Sequence, residues 1–419
     1  MNRSGPLEGI RVVDFSGYIA GPFCTQMLGD MGADVIKVEP PTGEQWRGQD
    51  PFAPGFSRSF IALNRNKRSI VLDLKSGEGR EVAMALVASA DVMVHNYRPG
   101  VPERLGIGYD AMRALNPKLI YASNSAYGQE GPRAHQPGYD LVIQAVSGLI
   151  ASNPTPDGKA PRRYAGIALI DFTAGQMLAI AVLSALIQRQ RTGVGQKVES
   201  TLIEAALSLQ RQKLVSIEGL DGQSPQKAPG TVLERMQRSA GQMTDLSERE
   251  LYYRTYETSD GYVTIGCLNV PQRKHFMAIV GLEDPWFENP DALPKSEDEN
   301  RRRRALTSYA EAEFRKTTTA AWVRKFEACG VPCAPVQMSA DLMFDEQVEA
   351  GGYFVDFMMP EFGRVRTMGT GISVNGRPES YRPPPKLGQH TQEILAELAV
   401  LQPAATSRME DECREHKHG

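Results

Sequence analysis

Short runs of β-branched residues alternate with helical stretches through the first part of the chain. The pattern predicts strands at 11–15, 34–39, 69–74, 91–95 and 119–123. It predicts helices between them at 22–31, 77–90 and 108–115. Strands separated by helices form a parallel sheet with helices on both faces. We therefore expect an α/β fold, with a large Rossmann-like domain whose parallel sheet is flanked by helices.

The pattern changes further along the chain. A long apolar stretch at 172–191 ends in basic residues and predicts a mostly buried helix with a solvated C-terminal end. The stretch 221–250 is polar and rich in Gly, Ser and Gln, which is typical of a linker or a loop. A predicted hairpin at 252–267 and three predicted helices follow it. These elements indicate a second, smaller α+β domain.

These changes divide the chain into four parts. Residues 1–220 are expected to form the first part of the large domain, and 221–330 the smaller domain. Residues 331–400 are expected to return to the large domain, and 401–419 to form a charged tail.

Charge and hydropathy argue against several classes of partner. The 419 residues include 47 Lys and Arg against 50 Asp and Glu, a formal net charge of −3. No field of the whole protein favours nucleic acid or anionic lipid, so an anionic ligand must be met by a local cluster. No uninterrupted apolar run reaches the ~18 residues of a membrane span, and no apolar signal core follows the N-terminus. We expect a soluble, cytoplasmic protein without membrane or nucleic-acid partners.

The cysteines do not follow a metal-binding or disulfide pattern. Of the five, only Cys329 and Cys333 are close in sequence, and no second Cys or His pair completes a zinc site. We therefore expect reduced thiols, as in a reducing compartment, and no metal site.

The first strand–turn–helix differs from a dinucleotide-binding motif. Its turn contains only Gly17 and Gly21, spaced G-x-x-x-G, and no G-x-G-x-x-G occurs there. Glu39 ends the second strand about where a ribose-binding acid would lie. An NAD enzyme is therefore disfavoured. An adenine-bearing ligand at the strand ends stays plausible, because open α/β sheets bind ligands there.

Cations cluster around two of the predicted strands. Residues 64–68 contain three of them, and Lys75 follows the same strand. The stretch 95–100 follows the next strand and contains an Asn–Tyr pair, with Arg104 one turn further on. Such groups suit an acidic, aromatic ligand such as a phosphorylated nucleotide. Taken singly, each cluster is more often a solvated loop.

Asp171 ends the apolar run 166–170 and opens the long helix. One interpretation is a helix N-cap, where Asp is common. The other is a carboxylate nucleophile, because free backbone N–H groups and the positive helix end would stabilise its ionised form. Such a carboxylate could attack a carbonyl and form a covalent acyl intermediate. The small residues at 173–175 would let a bulky ligand approach.

Other nucleophiles have less support in the sequence. No G-x-S-x-G elbow occurs, and His135, His275 and His390 are scattered along the chain. On the residues alone, both interpretations of Asp171 stay open.

A series of motifs runs in order over about residues 5–215 and 330–400. It comprises LEGIRVVDFSGYIAGPFCTQMLGDMGADVIKVEPP, NRNKRSIVLDLKS, DVMVHNYRPG, ERLGIGYD, NPKLIYAS, YGQEGP, PGYD, IDFTAGQ, RTGVGQKV, GVPCAPV and LGQHT. In this series the chain resembles the class III CoA-transferases, a family that includes formyl-CoA transferases, carnitine CoA-transferases and α-methylacyl-CoA racemases. Asp171 matches the family's catalytic aspartate, so the resemblance favours the nucleophile over the cap.

The resemblance implies that CoA, as a thioester substrate and not a permanent cofactor, binds at the strand ends of the large domain. The positions that match CoA contacts or lie beside them are Tyr18, Ile19, Ala20, Leu72, Lys75, Asn96, Tyr97, Arg98, Arg104 and Tyr139. Some relatives have an arginine for the nucleotide phosphates where this chain has Pro40. Arg98 or Lys37 would have to supply that charge.

The racemase branch is the alternative activity. Its members pair the aspartate with a histidine in a G-H-D stretch, and here the stretch is Gly138-Tyr139-Asp140. Tyrosine is a poor proton shuttle near neutrality because its ordinary pKa is ~10. Formyl-CoA:oxalate transfer is also disfavoured, because the tetraglycine loop of those enzymes is not found between 221 and 270.

The expected activity is transfer of CoA from an acyl-CoA to a carboxylic acid. It would pass through an aspartyl anhydride and an aspartyl–CoA thioester, with the backbone amides that begin the long helix stabilising oxyanions. The polar 221–250 stretch is the expected lid. The family's architecture also implies an interlocked homodimer, with linkers near 205–230 and 330–345. The sequence does not identify the donor or acceptor acid.

Overall fold

A parallel sheet organises the first part of the structure. The computed structural model describes residues 5–152, 163–164, 166–221, 229–239, 250–378 and 380–401. Its strands are β1 (Arg11–Asp14), β2 (Asp34–Glu39), β3 (Pro51–Ala53), β4 (Phe56–Ser57), β5 (Lys67–Val71), β6 (Val92–His95), β7 (Ile120–Ser125), β8 (Gln196–Thr201), β9 (Tyr253–Glu257), β10 (Tyr262–Gly266), β11 (Cys333–Pro335), β12 (Phe354–Met359) and β13 (Gly363–Met368).

The helices alternate with these strands in the first part of the chain and then dominate the second. They are α1 (Ala20–Asp30), α2 (Arg58–Asn64), α3 (Gly77–Ala88), α4 (Val101–Arg104), α5 (Tyr109–Leu115), α6 (Asp140–Val146), α7 (Leu169–Thr192), α8 (Leu202–Ser208), α9 (Glu218–Asp221), α10 (232–239), α11 (Val270–Val280), α12 (Glu297–Phe314), α13 (Thr319–Glu327), α14 (Glu346–Ala350) and α15 (Thr391–Leu401).

The described residues form two units. The first contains the residues up to 150, those at 163–221 and those from 350 onward. The second contains residues 151–152, 229–239 and 250–349. Most of the polar 221–250 stretch and the tail beyond 401 lie outside the described residues.

The sheet of the first unit has the order β5-β2-β1-β6-β7-β8. Every neighbouring pair in it is parallel. The α/β class expected from the sequence is confirmed. From β1 the chain builds outward through β2 and β5, and then starts again on the other side at β6. The carboxyl ends of β1 and β6 therefore form a topological switch point, where open α/β sheets bind their ligands.

The two faces of the sheet are covered by different helices, because successive side chains of a strand point to opposite sides. On one face Val13 and Ile36 pack with residues of α3, α5 and α15. On the other face Val12 and Val35 pack with residues of α1 and α7. The strands β1, β2, β6 and β7 are buried on both faces almost throughout, as inner strands of a parallel sheet are.

Helix α7 begins three residues before the predicted start at 172. It ends at Thr192, and the next residue, Gly193, has the positive φ of 72° that favours glycine after a helix. By length and composition alone it could span a bilayer. Its side chains Leu178, Ala179 and Val182 are nevertheless buried against the sheet, as in the core helix of a soluble domain.

The second unit is built on a small antiparallel sheet in the order β11-β10-β9. Helices α11, α12 and α13 pack on this sheet around an aromatic core. At its centre the rings of Tyr256 and Phe314 stack with centroids 4.0 Å apart. This unit has its own core, as a folding domain does.

Six charged side chains are buried together below the turn that joins β1 to α1. We call this set the buried charge cluster, and its members are Asp14, Lys37, Glu39, Glu44, Arg47 and Lys67. Three carry positive and three negative charge, so the set is balanced in formal charge. Burying a charge is costly unless it is paired and hydrogen-bonded, which the cluster achieves for each member.

Two lysines and Asp14 form its centre. The Nζ of Lys67 donates to the Oδ2 of Asp14 at 3.1 Å and to Asn64 and the Pro22 carbonyl at 2.9 Å. The Nζ of Lys37 donates to the carbonyl oxygen of Ser16 at 2.9 Å. Although burial opposes ionisation, the charges of both lysines and two hydroxyl donors lower the pKa of Asp14 to about 2.

We expect Lys67→Met to destabilise the first unit by about 3–5 kcal/mol, because it leaves the buried Asp14 carboxylate without the ammonium that touches it. Urea unfolding at pH 7 measures the loss. Lys118→Met, the same substitution at an exposed position, is the control, and its free energy of unfolding is expected to stay within about 0.5 kcal/mol of the natural protein's. A loss below about 1 kcal/mol for Lys67→Met would show that the pair contributes little.

Candidate active site

The switch point is held by one side chain. Asn96 follows β6, and its Nδ2 donates to the carbonyl oxygen of Gly17 at 2.7 Å. The amide nitrogen of Gly17 donates back to the Oδ1 of Asn96 at 3.0 Å. Asn96, a predicted CoA contact, therefore clamps the β1–α1 turn with both ends of its amide.

Tyr18 occupies this turn in a strained conformation. Its φ of 63° is rare for a residue with a side chain. The Oε2 of buried Glu44 accepts a hydrogen bond from the Tyr18 backbone amide at 3.1 Å, which ties the turn to the buried charge cluster. The Tyr18 ring meets that of Tyr139 edge to face, with centroids 5.8 Å apart. Burial and the hydrogen bond to Tyr139 raise the pKa of Tyr18.

The other predicted CoA-contact residues differ in exposure. Ile19, Ala20 and Leu72 are buried, so their side chains belong to the core. Tyr97 is partly buried and stacks on His95 with ring centroids 5.7 Å apart. The cations among them, which follow β5 and β6, are exposed: Lys75, Arg98 and Arg104.

The cation cluster expected at 64–68 is not a ligand site. Arg65 is paired with Asp30 at 2.5 Å and Lys67 with Asp14. Arg68 is paired with Asp34 at 2.6 Å and also with two glutamates of α15. The prediction was wrong because Lys67 and Arg68 belong to β5, which begins two residues before the predicted strand.

Lys37 is likewise unsuited to supply the charge missing at Pro40. It lies within β2, and its side chain is fully buried. Its Nζ is 3.5 Å from the Oε1 of Glu44, and this charge together with those of Asp14 and Glu39 raises its pKa despite burial. Of the two residues proposed for this role, only Arg98 is exposed.

Asp171 is the third residue of α7 and not its N-cap, a position that Ala168 occupies. The helix start is capped instead by Asp140, the first residue of α6. Its Oδ2 accepts hydrogen bonds from the backbone amides of Ile170 at 2.7 Å and Asp171 at 3.3 Å. The capping interpretation of Asp171 was therefore wrong.

Asp140 also changes the electrostatics expected for Asp171. Its carboxylate takes two of the backbone N–H groups that were expected to stabilise an ionised Asp171 and developing oxyanions. Burial first, and then the negative charge of Asp140, raise the pKa of Asp171 to about 7. The carboxyl group is thus more basic than an ordinary aspartate.

The small residues that follow Asp171 serve helix packing and not ligand access. Ala174 and Gly175 are buried where α7 crosses α1. A Cβ on Gly175 would lie 2.6 Å from the carbonyl oxygen of Ala20, closer than atoms can approach. Asp171 therefore lies on a helix whose backbone closely approaches that of α1, the helix that follows the β1–α1 turn.

Among the described residues, no group of three or more His, Cys, Asp or Glu side chains is placed to hold a metal ion. The histidines are dispersed: the Nδ1 of His390 accepts the backbone amide of Ser69, and His275 contacts the Cys329 carbonyl in the second unit. His95 lies fully buried at the end of β6, where burial lowers its pKa to about 3 and keeps it neutral.

Sequence reasoning did not assign a role to Asp140, Gln144 or Glu44. A faint signal was present for the first two, because they lie four residues apart, on one face of a helix, just after Gly138-Tyr139. Glu44 gave none, since it follows the breaker at 40–41 on a polar loop.

Comparison with known proteins identifies the family of this arrangement. The sequence model of CoA-transferase family III matches residues 7–391. The chain belongs to CoA-transferase family III. It is 33% identical over 407 residues to the succinyl-CoA:glutarate CoA-transferase of Mus musculus, covering 96% of this chain and 89% of that one. It is 32% identical over 404 residues to the acetyl-CoA:oxalate CoA-transferase of Acetobacter aceti, covering 94% and 96%.

Solved structures of the family agree with the fold. A CaiB/BaiF family protein from Brucella suis superimposes with a TM-score of 0.75 at 32% identity, covering 94% of this chain and 99% of that one. The resemblance drawn from the motifs is confirmed, and with it the class of enzyme.

We expect Gly175→Ala to destabilise the first unit by about 1–3 kcal/mol, because the added methyl group forces α7 away from α1. Thermal unfolding measures the effect. Gly77→Ala, at the start of α3 where a Cβ meets nothing within 4 Å, is the control and is expected to be neutral or stabilising by up to about 1 kcal/mol. A stable Gly175→Ala protein would contradict the close helix approach.

Proposed function

We propose that this family III enzyme transfers CoA from an acyl-CoA donor to a carboxylic acid acceptor, with Asp171 as the nucleophile. The observation that carries the proposal is the placement of Asp171. Its side chain is partly buried in the first turn of α7, the helix that touches α1 through Gly175, and its pKa is raised to about 7. A carboxylate with this raised basicity is a stronger nucleophile than an exposed aspartate.

The first half of the proposed reaction moves CoA onto the enzyme. The Asp171 carboxylate attacks the thioester carbonyl of the donor, the C–S bond breaks, and CoA leaves as a thiolate. This step forms a mixed anhydride between Asp171 and the donor acid. The thiolate then attacks the Asp171 carbonyl of the anhydride, so the donor acid leaves as a carboxylate and an aspartyl–CoA thioester remains.

The second half repeats these steps in reverse with the acceptor. The acceptor carboxylate attacks the aspartyl thioester, releasing CoA thiolate and forming a second anhydride. The thiolate attacks the acceptor's carbonyl, which yields the new acyl-CoA and restores the Asp171 carboxylate. Water would hydrolyse either intermediate, so burial matters. Next to Asp171 lie Ile170 and the edge-to-face rings of Phe172 and Phe23, 5.0 Å apart.

For CoA we propose a site along the carboxyl edge of the sheet. Lys75, Arg98 and Arg104 are its exposed cations, suited to the nucleotide phosphates. The β1–α1 turn, held by Asn96, would lead the thioester toward Asp171. Racemisation needs a second acid–base group, but Tyr139, which stands where the racemases have histidine, contacts Tyr18.

We further propose a homodimer, in line with the family. Helix α7 exposes Ile180 (63%) and Ile187 (54%), which lie two turns apart on one face. Among described residues outside it, Leu214, Val215 and Ile217 are more than half exposed as well. A second copy is the occupant proposed for these apolar surfaces, and light scattering of the purified protein tests it. The free thiols of the described cysteines favour the proposed cytoplasmic location.

We expect Asp171→Ala to abolish transfer, by at least about 10³-fold, while CoA still binds, because only the nucleophile is lost. Succinyl-CoA, acetyl-CoA and formyl-CoA are tested as donors against a panel of acids by mass spectrometry. Succinyl-CoA comes first because of the similarity to succinyl-CoA:glutarate enzymes. Asp110→Ala removes a carboxylate from the first turn of another helix and is the matched control.

Trapping tests the covalent intermediates directly. Hydroxylamine or borohydride added during turnover is expected to modify Asp171, as read by peptide mass spectrometry. Modification of a different residue, or full activity in Asp171→Ala, would remove Asp171 as the nucleophile.

Lys75→Ala and Arg104→Ala are each expected to weaken CoA binding about tenfold, because each removes a cation proposed to contact phosphate. Isothermal titration with CoA measures the affinity. Lys118→Ala, just before β7 at the opposite end of the sheet, is the control. Unchanged affinity in both variants would place the phosphates elsewhere.

A further inference from the structure

Asp140 connects two helices at the candidate active site. It is the first residue of α6, yet its side chain bonds to the start of α7, 30 residues further along the chain. The Oδ2 atom accepts the amides of Ile170 and Asp171. A carboxylate that caps another helix in this way fixes the position of that helix's first turn.

Gln144 orients the Asp140 carboxylate from the other side. Its side chain is fully buried, and its Nε2 donates to the Oδ1 of Asp140 at 2.5 Å. Its Oε1 accepts a hydrogen bond from the backbone amide of Tyr164 at 2.7 Å. Both carboxylate oxygens of Asp140 are therefore hydrogen-bonded, Oδ1 to Gln144 and Oδ2 to the first turn of α7. Gln144 is itself fixed by the backbone of Tyr164.

The elements packed against α7 bring few other charges to Asp171. On α1, Asp30, the last residue of the helix, is paired with Arg65. On β8, Lys197 and Glu199 pair with each other, and Glu204 of α8 accepts from the hydroxyl of Thr201. Helix α6 contributes Asp140 alone, and β7 contributes only Tyr121, which packs on the opposite side with His95. In the described part of the chain, Asp140 is the charge that acts on Asp171.

We propose that Asp140 is a positioning residue of the transfer reaction, which holds the first turn of α7 and places a negative charge beside the Asp171 carboxyl. The inference rests on the proposed role of Asp171 as the nucleophile. Its physical basis is that the charge of Asp171 differs between the free enzyme and the covalent intermediates. In the free enzyme the ionised Asp171 is repelled by Asp140 and poorly solvated.

In both covalent intermediates the Asp171 carboxyl is acylated and has no charge. The repulsion from Asp140 is then relieved, so the charge of Asp140 favours the anhydride and the thioester over the free carboxylate. The same charge makes the carboxylate more basic and therefore more nucleophilic toward the thioester. Asp140 would thus act through Asp171 without touching the substrate.

Asp140→Asn tests the charge while keeping the size of the side chain. Since Asp171 reacts in its ionised form, kcat/KM falls as the pH drops through its pKa, with a half-maximum near pH 7 in the natural enzyme. In Asp140→Asn we expect this acid limb to move down by about one pH unit or more. At pH 8.5, where Asp171 is ionised in both proteins, we expect kcat/KM of the variant to be at least fivefold lower.

A double variant controls for the hydrogen bonds. In Asp140→Asn/Gln144→Glu, the new carboxylate at 144 can accept hydrogen bonds from the side-chain NH2 group of the new asparagine and from the backbone amide of Tyr164. The hydrogen bonds between the two side chains are thus restored, but the negative charge lies further from Asp171. We expect the double variant to fold as stably as the natural protein and to keep the lowered acid limb. Asp110→Asn, the same change in the first turn of α5, is expected to leave the profile unchanged.

A second readout does not depend on turnover. Carbon-13 NMR of protein labelled at aspartate carboxyls follows the titration of Asp171, which Asp171→Asn identifies. Titration near pH 7 in the natural protein, moved down in Asp140→Asn, supports the proposal. An ordinary aspartate pKa for Asp171 in the natural protein overturns the proposal. So does a kcat/KM profile of Asp140→Asn whose acid limb stays in place while activity falls equally at every pH. Absence of transfer by the natural enzyme overturns the proposed function instead, and the titration still decides the effect of Asp140.

Discussion

The turn between β1 and α1 depends on charges buried below it. Glu44 accepts the backbone amide of Tyr18, and Lys37 bonds to the carbonyl of Ser16. Lys67 and Asp14 complete the support from β5 and β1. A strained residue at a turn persists only where its surroundings over-determine it. Here that constraint comes from a balanced set of ions, which hydrophobic side chains of the same size could not replace, because they cannot bond to backbone amides and carbonyls.

The same turn is linked by packing to Asp171, the nucleophile that we propose. Asn96 holds Gly17 at the switch point, and Gly175 lets α7 touch the backbone of α1. Asp171 is therefore fixed relative to the turn by packing and hydrogen bonds on rigid elements, as its proposed role as the nucleophile requires. Its raised pKa follows from this location, because burial next to Asp140 destabilises the ionised form.

Several site features could be predicted and others could not. The ordered series of motifs over about residues 5–215 and 330–400 was sufficient to identify the family, and Lys75 and Arg104, two of the predicted CoA contacts, are exposed. The cations at 65–68 were misread because their partners are distant in sequence: Arg68 pairs with Asp34 and with glutamates of α15. A basic cluster looks the same in a sequence whether it faces a ligand or an internal carboxylate.

By itself, the sequence determined the alternation of strands and helices, the parallel sheet that follows from it, and the family to which the chain belongs. These depend on local patterns, which act within a few residues. Only the tertiary structure decided which charges are buried and that Asp140, not Asp171, caps α7. Those outcomes depend on distances between residues far apart in the chain, and the field at a carboxyl group is set by neighbours in space.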